Sequence, residues 1–164
     1  MEKVESFKLD HTKVKAPFVR KCSVLDGVKG DKVTKFDLRF LQPNVESFGT
    51  AAMHGLEHLL ATYLRDTLDG VIDLSPMGCR TGFYLILWGD VDAKTVKIGL
   101  EEALKKVLES DKMPAATAIE CGNYRDLSLF GAKEYAKDVL DKGFSLNIYG
   151  EYFNWKRRYK HKSK

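Results

Sequence analysis

The sequence has no apolar run long enough to cross a bilayer. The longest, Phe83–Trp88, has six residues, against the roughly 20 that a spanning helix needs. Prolines are few, at 17, 43, 76 and 114, and no Pro/Ser-rich linker divides the 164 residues, so one domain is expected. No segment repeats at a fixed period, which excludes solenoids and propellers. The three cysteines, Cys22, Cys79 and Cys121, cannot all pair with one another. A disulfide scaffold is therefore excluded, and the thiols are expected to be free, metal-bound or nucleophilic. The amino-terminal MEKVESFKLD lacks the apolar region of a signal peptide. A cytoplasmic protein is expected.

What is present suits a globular enzyme. A chain of this length buries roughly 68–70% of its unfolded surface and needs no staples. The formal charge of +4 is misleading, because the last ten residues hold six basic and no acidic side chains. The preceding 154 carry 21 basic against 23 acidic residues. The chain is accordingly read as a catalytic body, 1–149, with a basic carboxy-terminal tail, 150–164.

Alternation predicts strands at Phe18–Val24 and Val33–Phe40. In the first, Phe18, Cys22 and Val24 share a face and Arg20 breaks the pattern. In the second, Phe36, Leu38 and Phe40 alternate with Lys35, Asp37 and Arg39, which fits an antiparallel strand with one wet face. Asp26–Asp31, with Gly27 and Gly30, reads as a hairpin connection. Helical spacing of Met53, Leu56, Leu60, Tyr63, Leu64 and Leu68 predicts a helix with Thr50 as N-cap and Gly70 as its C-terminal stop. Val71–Leu74 leads to a turn at Ser75–Gly78, and Phe83–Trp88 is a buried strand. Two further helices run from Asp92 to about Glu109 and from a Ser128 cap to Gly143, and Ser145–Tyr149 reads as a last strand. The early hairpin favours an α+β fold, an antiparallel sheet packed against helices as a sandwich, over a doubly wound sheet.

Three constellations carry chemistry. His54-Gly55-Leu56-Glu57-His58 places two imidazoles one turn apart, about 40° around the helix. That spacing can hold one metal ion, at the edge of the apolar stripe, with Glu57 placed as a general base. H-x-x-E-H is also the inverzincin motif, and two partly exposed histidines beside a solvated glutamate are the plain alternative. Two histidines leave a tetrahedral ion short of ligands. Cys121, followed by Gly122, is a thiolate candidate for the third position, with Glu120 and Glu134 as oxygen alternatives and a packed thiol as the inert one. Cys79, between glycines in Ser75–Gly82, is either an accessible acid/base or nucleophilic thiol, its thiolate favoured by nearby Arg80 or a metal, or an inert loop cysteine.

Taken together, SPMGCRTGF, HGLEHLL and ECGNYRD, with VESFKLDH and KFDLRFLQPN before them, resemble the LuxS family, the S-ribosylhomocysteine lyases. The resemblance runs from about Val4 to about Lys142. It implies a divalent metal, Fe(II) with Zn or Co able to substitute, held by His54, His58 and Cys121. It implies Glu57 and Cys79 as the acid/base pair and Ser6, His11, Arg39 and Asp73 as substrate contacts. It also implies a homodimer with active sites at the subunit interface. The reaction would cleave S-ribosylhomocysteine to homocysteine and 4,5-dihydroxy-2,3-pentanedione, precursor of the quorum-sensing signal autoinducer-2. The residue chemistry suits that reaction. Moving the carbonyl along the ribose makes the proton beside the C–S bond acidic, and each shift needs one proton removed and one delivered. Cys79 is expected to serve the carbonyl shifts and Glu57 the elimination.

The chain departs from the family pattern at Gly55, where Thr is usual, and at Leu127, where many relatives have His. Gly55 is expected to leave the helix less stiff, since interior glycine costs roughly 1 kcal/mol against alanine. Two other functions compete. An inverzincin metallopeptidase would use Glu57 as base but has no use for Cys79 and Cys121. A nucleic-acid-binding module is suggested by Trp155 and Tyr159 among the tail's basic residues, although a solvated terminus accounts for that pattern too. The near-neutral body favours a small-molecule enzyme.

Overall fold

The computed structural model describes residues 1–150. The basic residues 156–164, and all but the first residue of the expected tail, lie outside the described residues. Eight elements follow in chain order: α1 (Glu5–Lys8), β1 (Phe18–Asp26), β2 (Lys32–Arg39), α2 (Thr50–Thr67), β3 (Val71–Pro76), β4 (Gly82–Trp88), α3 (Ala93–Glu109) and α4 (Leu129–Lys142). The strands form one antiparallel sheet in the order β1-β2-β4-β3. The expected α+β sandwich is found.

The core lies between one face of this sheet and α2, α3 and α4. Phe36 and Leu38 of β2 and Phe83, Leu85 and Leu87 of β4 face Leu56, Leu60 and Leu64 of α2, Leu100 and Leu104 of α3, and Ala132 and Ala136 of α4. Every one of these side chains is buried, and each leucine contributes roughly 1.5–3 kcal/mol by leaving water. Asp92 caps α3 by accepting the Thr95 amide at 2.7 Å, and Ser128 caps α4 through Gly131 at 2.9 Å.

The opposite sheet face differs from the wet surface expected of β2. Asp37 and Arg39 point there, yet Asp37 is 0% and Arg39 1% exposed. They are opposed by Arg20 and Phe18 of β1, and Tyr84 of β4 also lies across from Asp37. The polar side of the β2 alternation is therefore a buried ionic layer. The same arrangement explains why Arg20 breaks the pattern of β1: it belongs to that layer. Val19, opposite Leu38, turns toward the helices in place of Phe18, and the register shift between Lys21 and Ser23 sets Cys22 apart.

Other differences are local. Helix α2 is capped by Gly49 without a side-chain bond, and the Thr50 hydroxyl donates instead to Asp126 Oδ1 at 3.4 Å. The C-cap is Leu68, so Gly70 serves the turn into β3. Strand β3 continues through Pro76, and the tight turn falls later, with the Arg80 amide bonded to Met77 O at 2.9 Å. Residues 145–149 make a single bridge, Phe18 to Ser145, and no strand. Asn147 bonds Ser145 Oγ and Gly150 O at 3.0 Å each, so side-chain turn chemistry bends the segment.

Candidate metal centre and active site

Helix α2 packs through Leu56, Leu59, Leu60 and Leu64, and this fixes the rotation of its polar edge. His54 and His58 emerge there with ring centroids 4.7 Å apart and planes at 86°. Each ring places Nδ1 2.8 Å from a backbone carbonyl, Asp126 O for His54 and Pro114 O for His58. A carbonyl can only accept, so both Nδ1 atoms carry the hydrogen and both Nε2 lone pairs are free to ligate. Cys121 Sγ lies 3.4 Å from His54 Nε2 and accepts the Asn123 amide at 3.4 Å.

One ligand atom from each of His54, His58 and Cys121 lies within 4.8 Å of the others. A tetrahedral ion with bonds of roughly 2.0–2.3 Å holds its ligand atoms roughly 3.3–3.8 Å apart, so the three fit around one ion after small adjustment. Two imidazoles and a thiolate suit a transition metal rather than calcium or magnesium, and three protein ligands leave a fourth position for water or substrate. Glu57 Oε2 sits 3.8 Å from His58 Nε2 and is partly exposed, outside the cluster but within reach of anything bound there. The oxygen alternatives are not brought in. Glu120 is bound to Thr117 Oγ1 at 2.8 Å, and Glu134 is exposed on α4.

Gly55 has a packing reason. A Cβ there would meet Ser128 O and the Met113 methyl, each at 2.8 Å. The bare backbone lets the segment before α4 lie against α2, with the Ser128 amide on Ala51 O at 2.9 Å and Asp126 O against His54. The residue that costs helix propensity thus admits the carbonyl that orients the His54 imidazole.

A second group of residues lies on the ionic face of the sheet. His11, Arg39, Cys79 and Thr81 line a cavity of about 510 Å³ together with residues 43–47. Asp37 grips Arg39 through two bonds, Nε to Oδ1 at 3.0 Å and Nη2 to Oδ2 at 2.7 Å. Arg39 Nη1 then donates to Thr81 Oγ1 at 2.9 Å and reaches toward Cys79 Sγ at 4.0 Å. The cation facing Cys79 is therefore Arg39. Arg80, expected in that role, turns away and donates to Phe48 O at 2.8 Å. Asp37 Oδ2 also meets Arg20 Nη2 at 3.3 Å, and Arg20 Nη1 binds Glu5 Oε1 at 2.5 Å, which ties α1 to the sheet.

Ser6, next along α1, is near Tyr84; burial pushes that phenol up, while Ser6 pulls it down. Asp73 accepts from Ser75 Oγ at 2.5 Å and is exposed, outside the cavity lining. Burial pushes the Cys22 thiol up to about 12, with Arg20 pulling the other way. Sequence reasoning missed Asp37, Thr81 and Tyr84. The signal for the first was its place two residues before Arg39 on one strand face, but alternation alone does not tell a covered polar face from a wet one.

The fold and the two clusters define an α+β protein with a His-His-Cys cluster that fits a divalent metal and a separate arginine-flanked thiol. The sequence profile of the LuxS family, S-ribosylhomocysteinase, matches residues 4–149. The chain belongs to this family. It is 74% identical over 151 residues to the S-ribosylhomocysteine lyase of Clostridium botulinum (strain Alaska E43 / Type E3), covering 92% of this chain and all of that one. The S-ribosylhomocysteine lyase of Clostridium perfringens (strain SM101 / Type A) is 56% identical over the same shares. That of Lactobacillus acidophilus is 55% identical over 149 residues, 88% of this chain and 94% of the relative.

Proposed function

We propose that this chain cleaves the thioether of S-ribosylhomocysteine, releasing homocysteine and 4,5-dihydroxy-2,3-pentanedione. The observation that carries the reading is the His-His-Cys cluster with both Nε2 atoms freed by backbone carbonyls, in a chain of this family. His54, His58 and Cys121 would hold a divalent metal, Fe(II) on this reading. When bound, such an ion supplies Lewis acidity toward the enediolate oxygens of the migrating carbonyl.

The remaining work falls to side chains. Cys79 takes a proton from one ribose carbon and returns it to the next, with Arg39 stabilising the thiolate between transfers. Glu57, partly withdrawn from water beside His58, removes the acidic proton next to the C–S bond, and the bond electrons leave with homocysteine sulfur. Ser6, His11, Arg39 and Asp73 orient the substrate in this reading, although the buried guanidinium of Arg39 is largely committed to Asp37 and Thr81. The product would serve as autoinducer-2 precursor, and the setting would be the cytoplasm. No helix among the described residues is long and apolar enough to cross a membrane.

A homodimer with shared sites is also proposed. Arg39 lies on the sheet face away from the helices with Cys79, from the β3–β4 turn, beside it, and none of the metal-cluster residues lines their cavity. A second chain can bring its metal cluster to that cavity. Val4, which precedes α1, and Phe7 within it, 58% and 67% exposed, give the same face apolar surface to bury.

The test is incubation of metal-loaded protein with S-ribosylhomocysteine while free thiol is assayed. Release by the wild type and none by Cys79→Ala of equal metal content is the expected result. No release from the metal-loaded wild type overturns the reading.

A further inference from the structure

Thr81 has no role in the chemistry described so far, yet it stands between Arg39 and Cys79. Its Oγ1 lies 2.9 Å from Arg39 Nη1 and 3.1 Å from Cys79 Sγ. A guanidinium has no acceptor, so in the first contact the hydroxyl accepts. Its own hydrogen must point elsewhere, and the sulfur lies within its reach. Thr81 is 2% exposed, so water cannot readily stand in for the hydroxyl. Its carbonyl accepts the amides of Phe40 and Leu41, both at 3.0 Å, which pins its backbone to the end of β2.

We propose that Thr81 is a positioning residue for Cys79: its hydroxyl donates to the thiolate and relays the polarisation of the buried Asp37–Arg39 pair. This rests on the reading that Cys79 is the acid/base thiol. When the sulfur carries a proton, the hydroxyl accepts it as a hydrogen bond; when the sulfur gives the proton up, the hydroxyl rotates and donates. No bond is made or broken at Thr81. Arg39 acts on the sulfur mainly through this hydroxyl, because its direct approach, 4.0 Å, is long. A donor aimed at an ion is a strong hydrogen bond, and its removal is expected to slow thiolate chemistry by roughly 10- to 100-fold.

The experiment compares Thr81→Val, which keeps the shape and loses the hydroxyl, with Thr81→Ser, which keeps the hydroxyl. Alkylation of Cys79 by iodoacetamide is followed by peptide mass mapping from pH 6 to 10 in metal-loaded protein, and kcat and KM for homocysteine release are measured in parallel. The charged or titratable groups lining the cavity with Cys79 are Arg39, His11 and Glu46. In Thr81→Val, alkylation at neutral pH should fall by the stated factor and converge on the wild type at high pH. Its kcat should fall with KM little changed, and Thr81→Ser should stay within about twofold of wild type on both measures. Wild-type alkylation and kcat in Thr81→Val overturn the proposal, as does a loss that Thr81→Ser shares. Should Thr81→Val not fold by circular dichroism, Thr81→Ala takes its place under the same criteria. Because alkylation needs no substrate, an inactive wild type would sink the proposed function without deciding this inference, and the alkylation profiles would still decide it.

Discussion

His58 donates its Nδ1 hydrogen to the Pro114 carbonyl at 2.8 Å, so the loop before Cys121 sets the tautomer of an imidazole on α2. The two halves of the proposed metal centre, 56 residues apart at this contact, are thereby built by one another. Loss of either should empty the site.

Cys121→Ala should accordingly lose metal. Stoichiometry after gel filtration is expected to fall from near one ion per chain to a small fraction, and the cobalt-loaded wild type should show a thiolate-to-metal charge-transfer absorption that the variant lacks. Full metal retention in Cys121→Ala would point to the inverzincin chemistry instead.

Gly55→Ala tests packing against propensity. Helix propensity alone predicts a gain of roughly 1 kcal/mol. The approach of Ser128 O to 2.8 Å predicts the reverse, a net loss of roughly 1–3 kcal/mol with weaker metal retention, because the Asp126 carbonyl must move with it. Thermal denaturation with metal analysis distinguishes the two.

Asp37→Ala leaves the Arg39 guanidinium buried without its carboxylate. A loss of roughly 3–5 kcal/mol is expected, read from denaturant unfolding. A loss below roughly 1 kcal/mol would mean that water reaches Arg39 and that this layer is less dry than its burial indicates.

The Cys22 thiol, pushed up to about 12 by burial, keeps its proton in the folded chain where an unfolded thiol loses it, from about pH 9 upward. The unfolded state then binds fewer protons, so folding stability falls with rising pH across that window. Cys22→Ala should flatten this alkaline decline, and at pH 8 iodoacetamide should label Cys79 while sparing Cys22. Equal labelling would show that Cys22 is open to solvent.

Subunit mixing tests the shared sites. Neither Cys79→Ala nor His58→Ala should turn over alone. Co-expressed, their heterodimer should regain up to about half of wild-type activity if each site combines the thiol of one chain with the metal of the other, since one site then carries both lesions and one neither. No recovery in a confirmed heterodimer would place both groups in one chain's site.

The sequence made much of this legible, for identifiable reasons. Helix α2, the hairpin of β1 and β2 and the H-x-x-E-H pair are local patterns, and local patterns survive folding. Cys121 stayed open between thiolate ligand and packed thiol because its partner is 67 residues away, and spacing holds no record of that approach. Helix α1 was missed because four residues carry no period; it is tied in place by Arg20 through Glu5. Residues 145–149 were misread because an alternating pattern cannot weigh Asn147 bonding its own neighbours. The alternation of Asp37 and Arg39 with Phe36 and Leu38 is that of any half-exposed strand, and the layer that covers them comes from elsewhere in the chain.

Strand β2 is consequently under two unrelated demands at alternate positions. Substitution scanned along it should show a period of two: Phe36 and Leu38, held by volume alone, exchanging among large apolar residues, and Asp37 and Arg39, held by charge and shape together, accepting almost none. A single stretch of chain would then keep a permissive record on one face and a nearly invariant one on the other.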